Sequence, residues 1–113
     1  MEEGMTARSV EMLAWSGCPS HPEAQRQMRA ILDDLGLADV AIEVSWIEDD
    51  ETAKRRRFVG SPTFRIDDEE LIPTDEADTY ALTCRVYRLA DRRFSPTPDP
   101  AQLAQATAAR FGR

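Results

Sequence analysis

The chain has 113 residues, which at roughly 100 to 200 residues per domain leaves room for a single domain over 1–113 and excludes two packed ones. Hydrophobic residues make up 42% and charged residues 31%, with five glycines and seven prolines, a composition that suits a folded protein with a modest core and excludes collagen or wholesale disorder. Fourteen basic residues against 21 acidic ones give a net charge of −7, so the surface as a whole repels duplex nucleic acid and anionic membranes, and neither is expected as a partner.

No apolar run approaches the roughly 20 residues that span a bilayer, and Met1 to Arg8 lacks the apolar stretch of a secretory signal. A cytoplasmic protein whose residues 1–8 are flexible is therefore expected. Two widely separated cysteines, Cys18 and Cys84, do not make a disulfide framework of the secreted kind, so a bridge between them would be reactive or regulatory.

In chain order, Val10-Glu11-Met12-Leu13-Ala14-Trp15 is a nearly continuous apolar run that reads as a buried strand ending at Ser16-Gly17. Ala24, Met28, Ile31, Leu32 and Leu35 fall at helical spacing, and Gly36 sits where a left-handed helix terminus is wanted. Ile42, Val44 and Trp46 alternate with polar residues, which marks a strand with one buried face. Strand, helix and strand make a βαβ unit with parallel strands. From Glu48 to Phe58 acids precede bases, the order that suits the dipole of a short helix. Gly60-Ser61-Pro62 breaks it, and Thr63 to Ile66, the turn Asp67-Asp68 and Glu70 to Ile72 read as a β-hairpin. Thr74 to Thr79 reads as an acidic surface loop. Leu82, Val86 and Leu89 with Tyr80 and Tyr87 suit a further strand or a helix, and periodicity does not decide between them. Asp99-Pro100 matches an N-cap followed by proline, with Leu103, Thr107 and Phe111 on one side of a closing helix.

The chemistry-bearing segment is Gly17-Cys18-Pro19-Ser20-His21-Pro22, between the first strand and the first helix. Free amide N–H groups and the positive end of a helix dipole favour a thiolate, which is the nucleophilic form of cysteine, and a protonated His21 would add to the effect. Ser20 with Glu23 forms a capping-box pattern that leaves Cys18 outside the helix; alternatively Cys18 is itself the cap, with Pro19 at the first helical position. One histidine and two cysteines fall short of a closed zinc site, and nothing local supplies a catalytic triad.

These motifs resemble the thioredoxin and glutaredoxin fold family. Cys18-Pro19-Ser20-His21 stands where that family carries CxxC, with His21 in place of the second cysteine, and Gly60-Ser61-Pro62-Thr63-Phe64 resembles its cis-proline segment, 44 residues beyond Cys18. Ile66 to Leu71 resembles its hairpin, and the likeness covers Val10 to Ile72. It implies a mixed sheet flanked by helices: a βαβ unit, a β-hairpin and a C-terminal helix. It also implies a small thiol-redox protein without cofactor, in which Cys18 is the nucleophile and His21 tunes its thiolate. Pro19, Ser61, Pro62 and Thr63 would then shape a substrate groove, with the Ser61-Pro62 bond cis and the backbone before it free to pair with an extended substrate.

With His21 in the motif, two routes remain for releasing a mixed disulfide. Either a low-molecular-weight thiol such as glutathione caps and releases Cys18, as in the monothiol glutaredoxins this site resembles, or Cys84 resolves it, which needs Cα atoms within about 7 Å. The redox reading expects Cys18 to be partly exposed, acidic and alkylated ahead of Cys84, and Cys84 to be buried. Its partner is a thiol-containing small molecule or a protein disulfide.

The basic run Lys54 to Arg57 reads as a solvated helix face, with the carboxylates of a thiol tripeptide as the alternative. Two other classes stay open. Two thiolates suit soft metal ions, and the Gly17 to His21 start with the Cys84-Arg85-Val86-Tyr87 ending resembles chains described as alkylmercury lyases, although such an enzyme needs two cysteines and an acid converging on carbon-bound mercury. The last class is a thioredoxin-fold binding module without turnover. Exposed sheet edges leave a homodimer open.

Overall fold

The computed structural model describes residues 9–73 and 80–112. The expectations for residues 1–8 and for the acidic loop 74–79 lie outside the described residues. Strand β1 (Val10–Ala14) leads through a turn to helix α1 (His21–Asp34) and strand β2 (Ile42–Trp46), followed by helix α2 (Asp50–Arg55). Strands β3 (Thr63–Ile66) and β4 (Glu69–Glu70), a short pair β5 (Tyr87–Arg88) and β6 (Phe94–Ser95), and helix α3 (Pro100–Arg110) complete the chain. The main sheet has the order β2-β1-β3-β4, with β1 parallel to β2 and antiparallel to β3. The result is a mixed α/β fold with a four-stranded mixed sheet and three helices among the described residues.

Alternation along β1 decides the layers. Val10, Met12 and Ala14 pack with Ala24, Met28 and Leu32 of α1 and Leu103 of α3 in the larger core, whereas Leu13 points the other way to Ala53 and Phe58 at α2. α1 ends as its sequence implies, for Gly36 adopts φ +77° and Leu37 N–H bonds back to the Leu32 carbonyl at 2.8 Å. α2 is capped by Asp49, whose carboxylate accepts from Thr52 N–H at 2.7 Å. α3 is capped by Asp99, which accepts from the N–H groups of Ala101 and Gln102. Asp67 and Asp68 both have positive φ, 54° and 66°, which closes the β3–β4 hairpin in a two-residue turn that short polar side chains tolerate.

Two expectations change. Trp46 does not join the buried face of β2 but is 49% exposed, because it ends an edge strand, with the His21 ring edge-on against it at 5.0 Å. The segment Tyr80 to Leu89 is neither a long strand nor a helix, and its inward residues are polar: Arg85 and Tyr87 are 5% and 4% exposed, Val86 65%. Inward orientation is set here by polar partners. Arg85 pairs with Glu70 at 3.2 Å, donates to the Ile72 carbonyl and stacks 4.3 Å over the Tyr87 ring.

The same segment adds one parallel bridge, Ser61 to Cys84: Ser61 N–H donates to the Thr83 carbonyl and Arg85 N–H to the Ser61 carbonyl, each at 2.8 Å. Gly60 makes this approach feasible, since it has φ +132° and a Cβ there would lie 2.8 Å from Arg85 Cα. Gly60→Ala combines a disfavoured backbone with a backbone clash, and is expected to lower unfolding stability by about 1–3 kcal/mol in urea denaturation; an unchanged midpoint would remove the tight approach from the fold's requirements.

Candidate thiol site

Cys18 closes the turn after β1, its N–H bonding to the Trp15 carbonyl at 3.0 Å. The N-cap of α1 is Ser20, so Cys18 stands two residues outside the helix. Ser20 makes no side-chain cap, and the capping box does not form: Pro22 offers no N–H, Ser20 has helical φ and ψ, and Glu23 pairs with Arg26 at 2.7 Å. The hydroxyl and N–H of Ser20 serve the thiol instead.

Cys18 is fully buried and Cys84 is exposed, the reverse of what the sequence suggested. The bridge to Ser61 explains the exchange, because it holds Thr83 and Cys84 exposed beside the Ser61-Pro62 segment while Cys18 lies within, its Sγ donating to the Ser61 carbonyl at 3.4 Å. Both thiols are free. Burial pushes the Cys18 thiol up, but the Cys84 thiol, the backbone and hydroxyl of Ser20 and the hydroxyl of Ser61 all donate to its thiolate, and the outcome is below the ordinary thiol range. Cys84 is pushed up to about 11, first by its hydrogen bond to Cys18 and then by burial and the negative charge of that thiolate. The pair is unequal, Cys18 being the more acidic of the two thiols. The buried Ser61 hydroxyl has no hydrogen-bond partner.

The Ser61-Pro62 bond is cis. Pro62 and Thr63 are buried, and Thr63 Oγ1 donates to the Gly60 carbonyl at 2.6 Å. Tyr87 holds the segment from inside, its hydroxyl donating to the Pro62 carbonyl at 2.5 Å while burial raises its pKa. Pro19 is exposed beside the thiol, and the part-buried His21 ring packs edge-on against Trp46 at 5.0 Å. One expectation is overturned: the backbone of Ser61 is not free for an extended substrate, because residues 83 and 85 of the same chain occupy both its N–H and its carbonyl.

Ser20, Arg85 and Tyr87 carry parts of the site that sequence reasoning did not assign. The alternation Arg85-Val86-Tyr87 was their available signal, a period of two whose inward members are amphipathic. The basic run divides. Lys54 and Arg55 are exposed, Arg56 pairs with Glu11 at 2.8 Å, and Arg55, Arg56 and Arg57 line a cavity of about 480 Å³ with Arg65, Glu70 and Tyr80. Its lining includes neither cysteine. Among the described residues, no group of three or more His, Cys, Asp or Glu converges as a metal site, and no helix is long and apolar enough to cross a membrane. No family model matches the chain, and no curated protein or solved structure shows significant similarity to it.

The thiol pair is measurable by pH-dependent alkylation read by peptide mass spectrometry. Removing the acceptor with Cys18→Ser is expected to bring the Cys84 midpoint from about 11 down toward the ordinary value of about 8.5. Ser61→Ala removes a polar neighbour that lowers the Cys18 pKa and is expected to raise its apparent pKa. An unshifted Cys84 midpoint in Cys18→Ser would mean that the two thiols do not interact.

Proposed function

We propose that this chain is a small thiol-redox protein of thioredoxin-like architecture, in which the Cys18 thiolate is the nucleophile of thiol–disulfide exchange with low-molecular-weight disulfides of the glutathione type. The sheet order β2-β1-β3-β4, a cysteine between β1 and α1 and a cis-proline before β3 are the features that support this architecture. The observation that carries the function is the placement of Cys18 Sγ 3.4 Å from the Ser61 carbonyl, next to the cis Ser61-Pro62 bond. A buried cysteine with no role is a small hydrophobe whose surroundings favour the neutral thiol. Cys18 instead sits against the Ser61 carbonyl of the cis-proline segment, with Ser20 and Cys84 nearby, and its pKa is held below the ordinary thiol range despite burial.

Substrate size follows from the filled groove. An extended protein segment would have to displace residues 83–85 from Ser61, losing two backbone hydrogen bonds before gaining any. A small disulfide needs only access to one sulfur. For the same reason a non-catalytic module that binds extended peptides is the weaker reading. A soft-metal reading has one favourable observation, the hydrogen-bonded thiol pair, which matches two-coordinate sulfur ligation of mercury or copper(I). No acid joins the pair in a three-ligand group among the described residues, as organomercurial cleavage requires.

The redox reading is tested by incubating the reduced protein with glutathione disulfide and following modification of each cysteine by mass spectrometry across pH. Modification of Cys18 is expected to level off at a pH below the free-thiol value of about 8.5, and Cys18→Ser is expected to abolish it. A rate that keeps rising through that value would place an ordinary thiol at this position and remove the basis of the proposal.

A further inference from the structure

We infer that Cys84 is the resolving thiol of this protein, forming a reversible intramolecular disulfide with Cys18 across the Ser61-Pro62 segment and so replacing the second cysteine that the Cys18 to His21 motif lacks. The inference rests on the reading of Cys18 as nucleophile and adds the fate of the mixed disulfide.

Geometry carries it. Cys84 is the bridge partner of Ser61, and paired residues in a bridge present their side chains on the same side of the strands. Cys18 Sγ in turn donates to the Ser61 carbonyl at 3.4 Å, the same carbonyl that accepts from Arg85 N–H, so both cysteines are neighbours of Ser61. Two cysteines that share this neighbour are brought toward the Cα separation of under about 7 Å that a disulfide needs. The approach is built rather than incidental. Segment 83–85 is fixed by two backbone hydrogen bonds to Ser61, by the absence of a side chain at Gly60, and by Arg85 anchored on Glu70.

The steps balance with a small disulfide, RSSR, as oxidant. Because Cys18 is buried and Cys84 exposed, RSSR reaches the pair past Cys84, whose side chain can rotate on the picosecond to nanosecond scale of exposed residues. The Cys18 thiolate attacks one sulfur of RSSR; the Cys18–S–S–R bond forms, the S–S bond of RSSR breaks, and RS⁻ leaves and takes a proton from solvent. Cys84 then loses its proton to solvent and attacks Cys18 Sγ, forming the Cys18–Cys84 bond and expelling a second RS⁻. Two protein thiols are oxidised and one RSSR is reduced to two RSH. Excess RSH drives both exchanges backwards and restores the dithiol.

The order of events is set by the pair itself. Cys84 holds its proton because the Cys18 thiolate accepts it, and that acceptor and its charge vanish once Cys18 enters a mixed disulfide. The Cys84 pKa then falls, with only burial still holding it up, so Cys84 becomes the better nucleophile after Cys18 has reacted. It is protected from side reactions until it is needed.

The test treats the full-length reduced protein, Cys84→Ser, Cys84→Ala and Cys18→Ser with glutathione disulfide near neutral pH, followed by acid quenching, alkylation of remaining thiols, and intact and peptide mass spectrometry. The expected result is a transient glutathione adduct on Cys18 in the wild type that converts to a Cys18–Cys84 disulfide. In both Cys84 variants the adduct should persist at least about tenfold longer, since no internal thiol displaces it. If the wild type accumulates the adduct as the Cys84 variants do, with Cys84 still open to alkylation, Cys84 is not the resolving thiol although Cys18 remains the nucleophile. If neither the wild type nor the Cys84 variants form an adduct or a disulfide at Cys18, the nucleophile reading falls, and this inference with it.

Discussion

Two backbone hydrogen bonds, from Ser61 N–H to the Thr83 carbonyl and from Arg85 N–H to the Ser61 carbonyl, are the contact on which the site depends. They join the entrance of β3 to a stretch more than twenty positions further along the chain, and they bring the second cysteine to the first. Closing such a loop costs chain entropy, and two hydrogen bonds at about 1 kcal/mol each do not offset it alone. Burial of Tyr87 and Arg85 supplies the remainder. The Tyr87 ring and hydroxyl fill the space behind Pro62, and the Arg85 guanidinium is held between Glu70, the Ile72 carbonyl and that ring.

Glu70 has a wider role than its place in a two-residue strand suggests. It accepts from both Arg65 and Arg85, whose side chains are almost entirely buried. A buried guanidinium without a partner costs several kcal/mol, so one carboxylate between two cations keeps this polar layer tolerable, and removing it would leave both uncompensated. The layer lies under the segment that carries Cys84. The geometry of the thiol pair is therefore tied to charge satisfaction as well as to apolar packing.

The parts of this fold that were legible in the sequence are those decided within a few residues. The buried run of β1, the apolar stripe from Ala24 to Leu35, Gly36, the Asp67-Asp68 turn and the Asp99-Pro100 cap all act through local sterics or nearest-neighbour burial, and each appears where its pattern places it. Cys18 at the end of β1 was legible for the same reason. The exposure of the two cysteines was not, because it depends on a bridge between residues 61 and 84 that leaves no periodic trace. Residues 85–87 misled in the opposite sense: Val86 marks an inward position on any hydropathy pattern, yet Arg85 and Tyr87 turn inward because polar partners await them. Of the two caps the sequence allows, Ser20 and Cys18, the helix takes Ser20, but its hydroxyl makes no cap bond because Pro22 offers no N–H and Ser20 itself has helical φ and ψ.

Burial and ionisation usually oppose each other at a cysteine, since a site dry enough to shield the sulfur also disfavours its charge. Here the two coexist because the shield is made of donors. Ser20 comes from the helix entrance, Ser61 from the approach to β3, and Cys84 from the bridged segment, so three separate parts of the fold contribute to one anion. A site assembled that way has a consequence for its partner thiol. The hydrogen bond that stabilises the Cys18 thiolate is the same one that keeps Cys84 protonated. Lowering one thiol's pKa by donation from the other necessarily raises the donor's, so an exposed cysteine beside an acidic one is left the less nucleophilic of the two at neutral pH. Exposure alone therefore does not rank the two sulfurs by acidity, because the buried one is the more acidic.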